Sequence, residues 1–70
     1  MQEIRAPITG NVYRVETAVG DTVSEGDVVA VIESMKLEIP VEAEVAGTVT
    51  EVRVAAGDSV GEDDVLLTVD

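Results

Sequence analysis

The chain has 70 residues, a formal net charge of −11 at pH 7, and neither cysteine nor histidine. This length predicts one domain over residues 1–70 with a hydrophobic core near the minimum size for stable folding, and the composition excludes disulfides, thiolate metal sites and histidine general-base chemistry. The acidic charge disfavours nucleic acid and anionic membranes as partners, and a self-contained enzyme is not expected.

The apolar residues are mostly β-branched. Fifteen valines and four isoleucines stand against three leucines, and Tyr13 is the sole aromatic residue. This bias favours strands in a thin, closely spaced sandwich and predicts an all-β fold. The sequence has no apolar run long enough to span a membrane, and its start, MQEIRAPITG, has no signal-peptide pattern. A cytoplasmic location is therefore the default expectation.

Strand and turn signals alternate along the chain at the short spacing of small all-β domains. A strand that opens at Gly10 carries Val12 and Val15 and extends towards Val19. The other predicted strands are residues 2–6, 22–23, 28–33, 37–43, 47–54, 59–60 and 64–69. Turns rich in glycine, aspartate and serine separate them, at 20–21, 24–27, 57–58 and 61–63.

The two halves of the chain repeat each other. Residues 6–33 align with residues 43–70 at a constant offset of 37, and eleven of the 28 aligned positions are identical. The shared residues are turn residues and apolar residues, so the scaffold is what repeats. Two copies are too few for a solenoid, which favours two copies facing each other about a pseudo-twofold axis. Both copies break strict alternation at one point, Val12 to Val15 and Val49 to Val52, which predicts a shared bend or bulge.

The segment Glu33-Ser34-Met35-Lys36-Leu37-Glu38 joins the copies and holds the only lysine. If residues 28–33 and 37–43 form an antiparallel hairpin, Met35 and Lys36 or their neighbours make its tight turn, where a glycine-containing pair is expected. Met35 and Leu37 would be exposed beside Lys36, against the usual preference for polar residues. A local rule broken at one defined place indicates function. A short helical turn and an unbroken strand remain as alternatives.

Other candidate sites are weaker. The acidic run Glu62-Asp63-Asp64 does not have the ligand spacing of a calcium loop, so a solvated turn is preferred and no metal site is predicted. Ser34 has no histidine to activate it as a nucleophile. No catalytic residue is predicted.

The stretch VIESMKLEIPVEAEVAGTV resembles the attachment segment of biotinyl domains. The family pattern is a small residue, methionine, lysine and an apolar residue, with a Gly-x-Val strand start downstream. Lys36 matches the lysine that carries covalent biotin, and Ser34, Met35 and Leu37 match the recognition residues around it. Leu37 replaces the commonest methionine. The glycine-containing turns also match, so the resemblance covers nearly the whole chain. It implies a barrel-sandwich hybrid of two quasi-symmetric four-stranded halves, with the lysine on the hairpin between them.

The resemblance implies a non-catalytic biotin carboxyl carrier. A biotin protein ligase would attach biotin to Lys36, and the carrier would shuttle a carboxyl group between biotin carboxylase and carboxyltransferase partners. A lysine amine is protonated at neutral pH, so the ligase has to activate it. One alternative is a lipoyl carrier, although lipoyl domains usually place an acidic residue before the lysine and a small residue after it. The other is an unmodified assembly module of the same fold.

Overall fold

The computed structural model describes residues 1–70, which form eight strands and no helix. The strands are β1 (Gln2–Arg5), β2 (Gly10–Val15), β3 (Thr22–Val23), β4 (Val28–Ser34), β5 (Leu37–Glu42), β6 (Gly47–Val52), β7 (Ser59–Val60) and β8 (Val65–Val69). Every predicted strand is present, with ends that differ by one or two residues in most cases. The exception is β2, which ends at Val15, so that Val19 lies in the following turn with 63% of its surface exposed.

The strands form two four-stranded antiparallel sheets, in the orders β1-β8-β6-β3 and β5-β4-β2-β7. The offset of the sequence repeat relates β1 to β5, β2 to β6, β3 to β7 and β4 to β8, and this operation converts one sheet into the other. Each sheet therefore takes two strands from each half of the chain. The halves interlock as the predicted barrel-sandwich hybrid, and the fold class is confirmed.

The predicted bulge is present in both copies. The register of β2 against β4 shifts between Val12 and Arg14, and the register of β6 against β8 shifts between Val49 and Glu51. These shifts lie at equivalent places in the repeat. Because a bulge increases local twist and bends its strand, both sheets are bent at equivalent places.

The core lies between the sheets. It contains 14 buried apolar residues from both halves, and they are Ile4, Ala6, Val12, Val23, Val29, Ala30, Ile32, Val41, Ala43, Val49, Val60, Leu66, Leu67 and Val69. Most are short or β-branched, which allows the sheets to approach closely. Tyr13 is not among them and is 48% exposed. A thin core of aliphatic residues thus supports the hairpin between the halves.

The repeated Gly-Asp pairs have a structural role. The carboxylate of Asp21 accepts a hydrogen bond of 2.9 Å from the backbone N–H of Ala18, and Asp58 accepts an equivalent bond of 2.9 Å from Ala55. The preceding residues, Gly20 and Gly57, have φ of 96° and 97°, a conformation that glycine adopts without steric cost. Turn formation accounts for these pairs without a ligand.

Candidate functional site

The segment between the two copies is a tight hairpin of β4 and β5. Ser34 and Leu37 form its last cross-strand pair, and Met35 and Lys36 form a two-residue loop. The φ angles of Met35 and Lys36 are 53° and 67°. Two positive φ angles in a two-residue loop are the signature of a type I′ turn, whose twist matches that of the flanking strands. The predicted tight turn is confirmed, and the helical-turn and unbroken-strand alternatives are excluded.

This turn is unfavourable for its own residues. A side chain in the left-handed region costs roughly 1–2 kcal/mol because its Cβ approaches the following carbonyl oxygen. Glycine and asparagine relieve most of that cost, yet Met35 and Lys36 occupy the two positions. The pairing of β4 with β5 over its whole length holds the turn in place. The side chains at the tip therefore lower the local stability of the turn.

The side chains at the tip point into solvent. Met35 is 89% exposed and Leu37 is 65% exposed, and Lys36 between them is also exposed. An apolar pair this accessible does not stabilise the fold, since it contributes nothing to the core. It does offer an adaptable apolar surface on both sides of the amine.

Lys36 also differs from the other cationic side chains. Arg5, Arg14 and Arg53 each form an ion pair with a glutamate two residues away, namely Glu3, Glu16 and Glu51. The hydrogen bond from Arg53 to Glu51, and then the charge of Glu51, raise the pKa of Arg53 above its ordinary value. Lys36 forms no ion pair, so its amine is free to be approached from solvent.

Ser34 lies on the inner side of the hairpin base. It is 9% exposed, and its hydroxyl donates a hydrogen bond of 3.0 Å to the backbone carbonyl of Thr9. A Cβ at Gly10 would lie 2.5 Å from the carbonyl oxygen of Glu33 and 3.2 Å from the Cβ of Ser34. The backbone of β4 therefore approaches position 10 too closely for any residue but glycine, and Ser34 is buried beside it.

Thr9 was not singled out in the sequence, although it anchors the base of the hairpin. Its carbonyl accepts the hydrogen bond from Ser34, and its hydroxyl accepts a bond of 3.1 Å from the N–H of Glu62. The equivalent residue in the second copy is Ala46, which has no hydroxyl. In the sequence, the only sign of a role for Thr9 is this difference between the two copies. The close backbone approach at Gly10 has a clearer sign, because the glycine recurs at the equivalent position, Gly47.

Two carboxylates flank the tip. Glu33 and Glu38 are directly opposite each other on β4 and β5, and both are exposed. Like charges opposite each other on a sheet are destabilising, and the ammonium group of Lys36 is the only nearby cation in the hairpin. The tip therefore presents one amine and two apolar side chains, and the carboxylates of Glu33 and Glu38 lie at its base.

The tip is exposed and lies apart from the main surface groove. A surface groove of about 870 Å³ lies between the edge strands β1 and β5, and its walls include Ile4, Arg5 and Val41 but no residue from 33 to 38. Lys36 is thus not part of this groove.

Comparisons with known proteins agree with this geometry. The family model described as "Biotin-requiring enzyme", which covers biotin and lipoyl attachment domains, matches residues 2–69. The chain belongs to this family. The segment that resembles the family's attachment segment presents an exposed lysine on a type I′ turn.

Relatives and solved structures add detail. The biotinylated protein TB7.3 of Mycobacterium tuberculosis is 48% identical over 42 residues, which are 60% of this chain and 59% of that protein. The biotin/lipoyl attachment protein of Bacillus subtilis is 47% identical over 37 residues, which are 53% of this chain and 51% of that protein. The structure of Kluyveromyces lactis urea carboxylase superposes with a TM-score of 0.92 and 33% identity, over 99% of this chain and 6% of that one. A single-chain long-chain acyl-CoA carboxylase superposes with a TM-score of 0.88 and 32% identity, over 94% of this chain and 6% of that one.

These matches cover only part of the relatives. The match spans about half the length of the small attachment proteins and 3% of a putative urea carboxylase from Emericella nidulans, which is 49% identical over 41 residues. What is common to the large and small relatives is the attachment domain. The chain is accordingly a biotin-carrier domain with biotin as its cofactor, and it forms no helix that could cross a membrane.

Proposed function

We propose that Lys36 is the attachment point for biotin and that the chain carries a carboxyl group between two active sites of a biotin-dependent carboxylase. The observation that carries this proposal is the hairpin turn, which presents the only lysine of the chain, exposed and without an ion pair, between two exposed apolar residues. A primary amine in this position fits an amide link to the carboxyl group of biotin.

The residues of the tip divide into two roles. Met35 and Leu37 supply apolar surface that a partner can bury, while Ser34 and Gly10 hold the base of the turn against the loop before β2. The buried position of Ser34 favours positioning of the turn over direct recognition. A site supported by paired strands is placed reproducibly, which suits an amine that has to enter several partner sites.

The chain supplies geometry and its partners supply chemistry. Biotin, when attached, provides a ring nitrogen that accepts and releases a carboxyl group. Lys36 is the only amine at the tip, the nearby carboxylates of Glu33 and Glu38 are exposed, and the main surface groove lies elsewhere, so we assign catalysis to the partners. These are a biotin protein ligase and the biotin carboxylase and carboxyltransferase components, and we place the chain with them in the cytoplasm.

Loss of the amine tests the attachment point. Lys36→Arg keeps the positive charge but removes the acylatable amine, so incubation with a purified biotin protein ligase, biotin and ATP should leave the variant unlabelled. Intact mass and streptavidin binding report the labelling, and circular dichroism reports the fold. Val19→Ala serves as the control at an exposed position away from the tip that keeps the amine and both apolar neighbours of Lys36. A Lys36→Arg chain that still binds streptavidin would overturn the assignment.

A lipoyl carrier is the second candidate, because the matched family covers both cofactors and one relative is named a biotin/lipoyl attachment protein. The exposed Met35 and Leu37 favour biotin. The double variant Met35→Asp, Leu37→Ala introduces a carboxylate that an apolar pocket rejects, since burying an unpaired charge is strongly unfavourable. Competition between purified biotin and lipoate ligases should then show a steep fall in biotin transfer. Undiminished transfer would show that the position of the hairpin alone is recognised.

A further inference from the structure

The chain contains very few side chains that mild oxidants attack. It has no cysteine, tryptophan or histidine, and its only sulfur atoms are those of Met1 and Met35. Hydroperoxides oxidise thioethers readily, and the product, methionine sulfoxide, is returned to methionine by dedicated reductases. Oxidation of this protein by a hydroperoxide is therefore directed to two known atoms.

The two methionines occupy very different places. Met1 begins the chain and is 83% exposed, whereas Met35 is 89% exposed in the type I′ turn next to Lys36. Neither belongs to the core. A buried methionine disrupts packing when it is oxidised, but the sulfur of Met35 can gain an oxygen without disturbing a core contact. The effect of oxidation would be confined to the hairpin tip.

We propose that Met35 is a reversible oxidation site that lowers the transfer of biotin to Lys36; this proposal rests on the carrier function proposed above. The co-reactant is a hydroperoxide. A sulfur lone pair attacks the terminal peroxide oxygen, the O–O bond breaks, and an S–O bond forms. Sulfur loses two electrons, and the remaining peroxide oxygen leaves as water or an alcohol. Lys36 keeps its amine throughout.

The consequence follows from the polarity of the product. A sulfoxide oxygen is a strong hydrogen-bond acceptor, and an apolar partner surface that excludes water from Met35 would leave it unpaired. Leu37, on the other side of Lys36, cannot be oxidised in this way, so Met35 alone changes the character of the apolar pair. We expect oxidation to reduce the kcat/KM of biotin transfer about tenfold, the factor associated with one poorly compensated polar group.

The experiment uses the full chain and two matched variants. Met1→Leu leaves Met35 as the only oxidisable methionine, and Met35→Leu leaves only Met1. Each is treated with hydrogen peroxide, checked by peptide mass for one added oxygen, freed of peroxide, and incubated with a purified biotin protein ligase, biotin and ATP. Part of each oxidised sample is first treated with methionine sulfoxide reductases A and B, which together reduce both sulfoxide epimers.

Oxidised Met1→Leu should lose about tenfold in kcat/KM and recover after reduction, while Met35→Leu should label at the same rate before and after peroxide. Undiminished labelling of Met1→Leu that is fully oxidised at Met35 would overturn the proposal, and so would a Met35 that peroxide leaves unmodified. Failure of the untreated Met1→Leu chain to take biotin is a separate result. It would refute the carrier function and with it the effect on transfer, whereas the peptide mass would still decide whether Met35 is oxidised.

Discussion

Replacing Met35 with asparagine should stabilise the protein while impairing its modification. Met35 has φ of 53° and is 89% exposed, so the substitution removes an unfavourable left-handed residue and sacrifices little packing. Asparagine is among the residues preferred at the first central position of a type I′ turn. Since the left-handed region costs an ordinary residue roughly 1–2 kcal/mol, partial relief should raise the free energy of unfolding by about 1 kcal/mol.

For a domain of this size, about 1 kcal/mol corresponds to an increase in Tm of roughly 4–8 °C. Thermal unfolding followed by circular dichroism measures it, and urea unfolding gives the free energy independently. Adding Lys36→Gly should raise Tm further, because it completes the favoured Asn-Gly pair and relieves a second positive φ of 67°. In parallel, Met35→Asn should reduce the rate of biotin transfer, since it removes an exposed apolar contact beside the amine.

Leu37→Asn is the matched control. Leu37 is also exposed, but it lies on strand β5 and has no positive φ angle, so asparagine there should not raise Tm. If Met35→Asn left Tm unchanged or lowered it, the positive φ angle of Met35 would not be a source of instability, and the reasoning would be refuted. If it stabilised the chain without slowing biotin transfer, Met35 would have no role in recognition.

Two further predictions concern packing and charge. Gly10→Ala and Gly47→Ala should each destabilise the protein by about 1–3 kcal/mol in urea unfolding. The reason is that the added Cβ would lie 2.5 Å or 2.6 Å from a backbone oxygen. Only Gly10→Ala, which lies next to the hairpin base, should also slow biotin transfer in samples kept folded. Sodium chloride should raise Tm, because the net charge of −11 is screened as the Debye length falls from about 10 Å at 0.1 M to about 3 Å at 1 M. A flat or falling Tm would contradict the repulsion.

Much of the fold could be predicted from the sequence, because strands and turns depend on residues that are close together in the chain. Alternating valines and glycine-aspartate pairs predicted the strands and turns, and the repeat predicted both bulges, at Val12 and at Val49. The position of the candidate attachment residue was equally accessible, because Lys36 is the only lysine and lies where neither copy has a counterpart. The tight turn was predicted from the spacing of the flanking strands, even though Met35 and Lys36 are not residues that usually form such turns.

The tertiary structure decided what depends on residues distant in the chain. The pairing of β1 with β8 in one sheet and of β2 with β7 in the other joins strands from both halves, and no local pattern specifies these pairings. Likewise, the burial of Ser34 depends on the carbonyl of Thr9 and the bare backbone of Gly10.

The packing of residues outside the core also could not be predicted from the sequence. Tyr13 and Thr50 occupy equivalent places in the repeat. The hydroxyl of Thr50 lies 2.7 Å from the hydroxyl of Thr68 on the neighbouring strand, whereas the ring of Tyr13 lies outside the core, with the guanidinium of Arg14 over it at 5.6 Å. Sequence determines which residues favour strands and turns. The face on which the only aromatic residue lies, and how closely two backbones approach, depend on the register between strands, because one residue of bulge reverses the side to which the following side chains point.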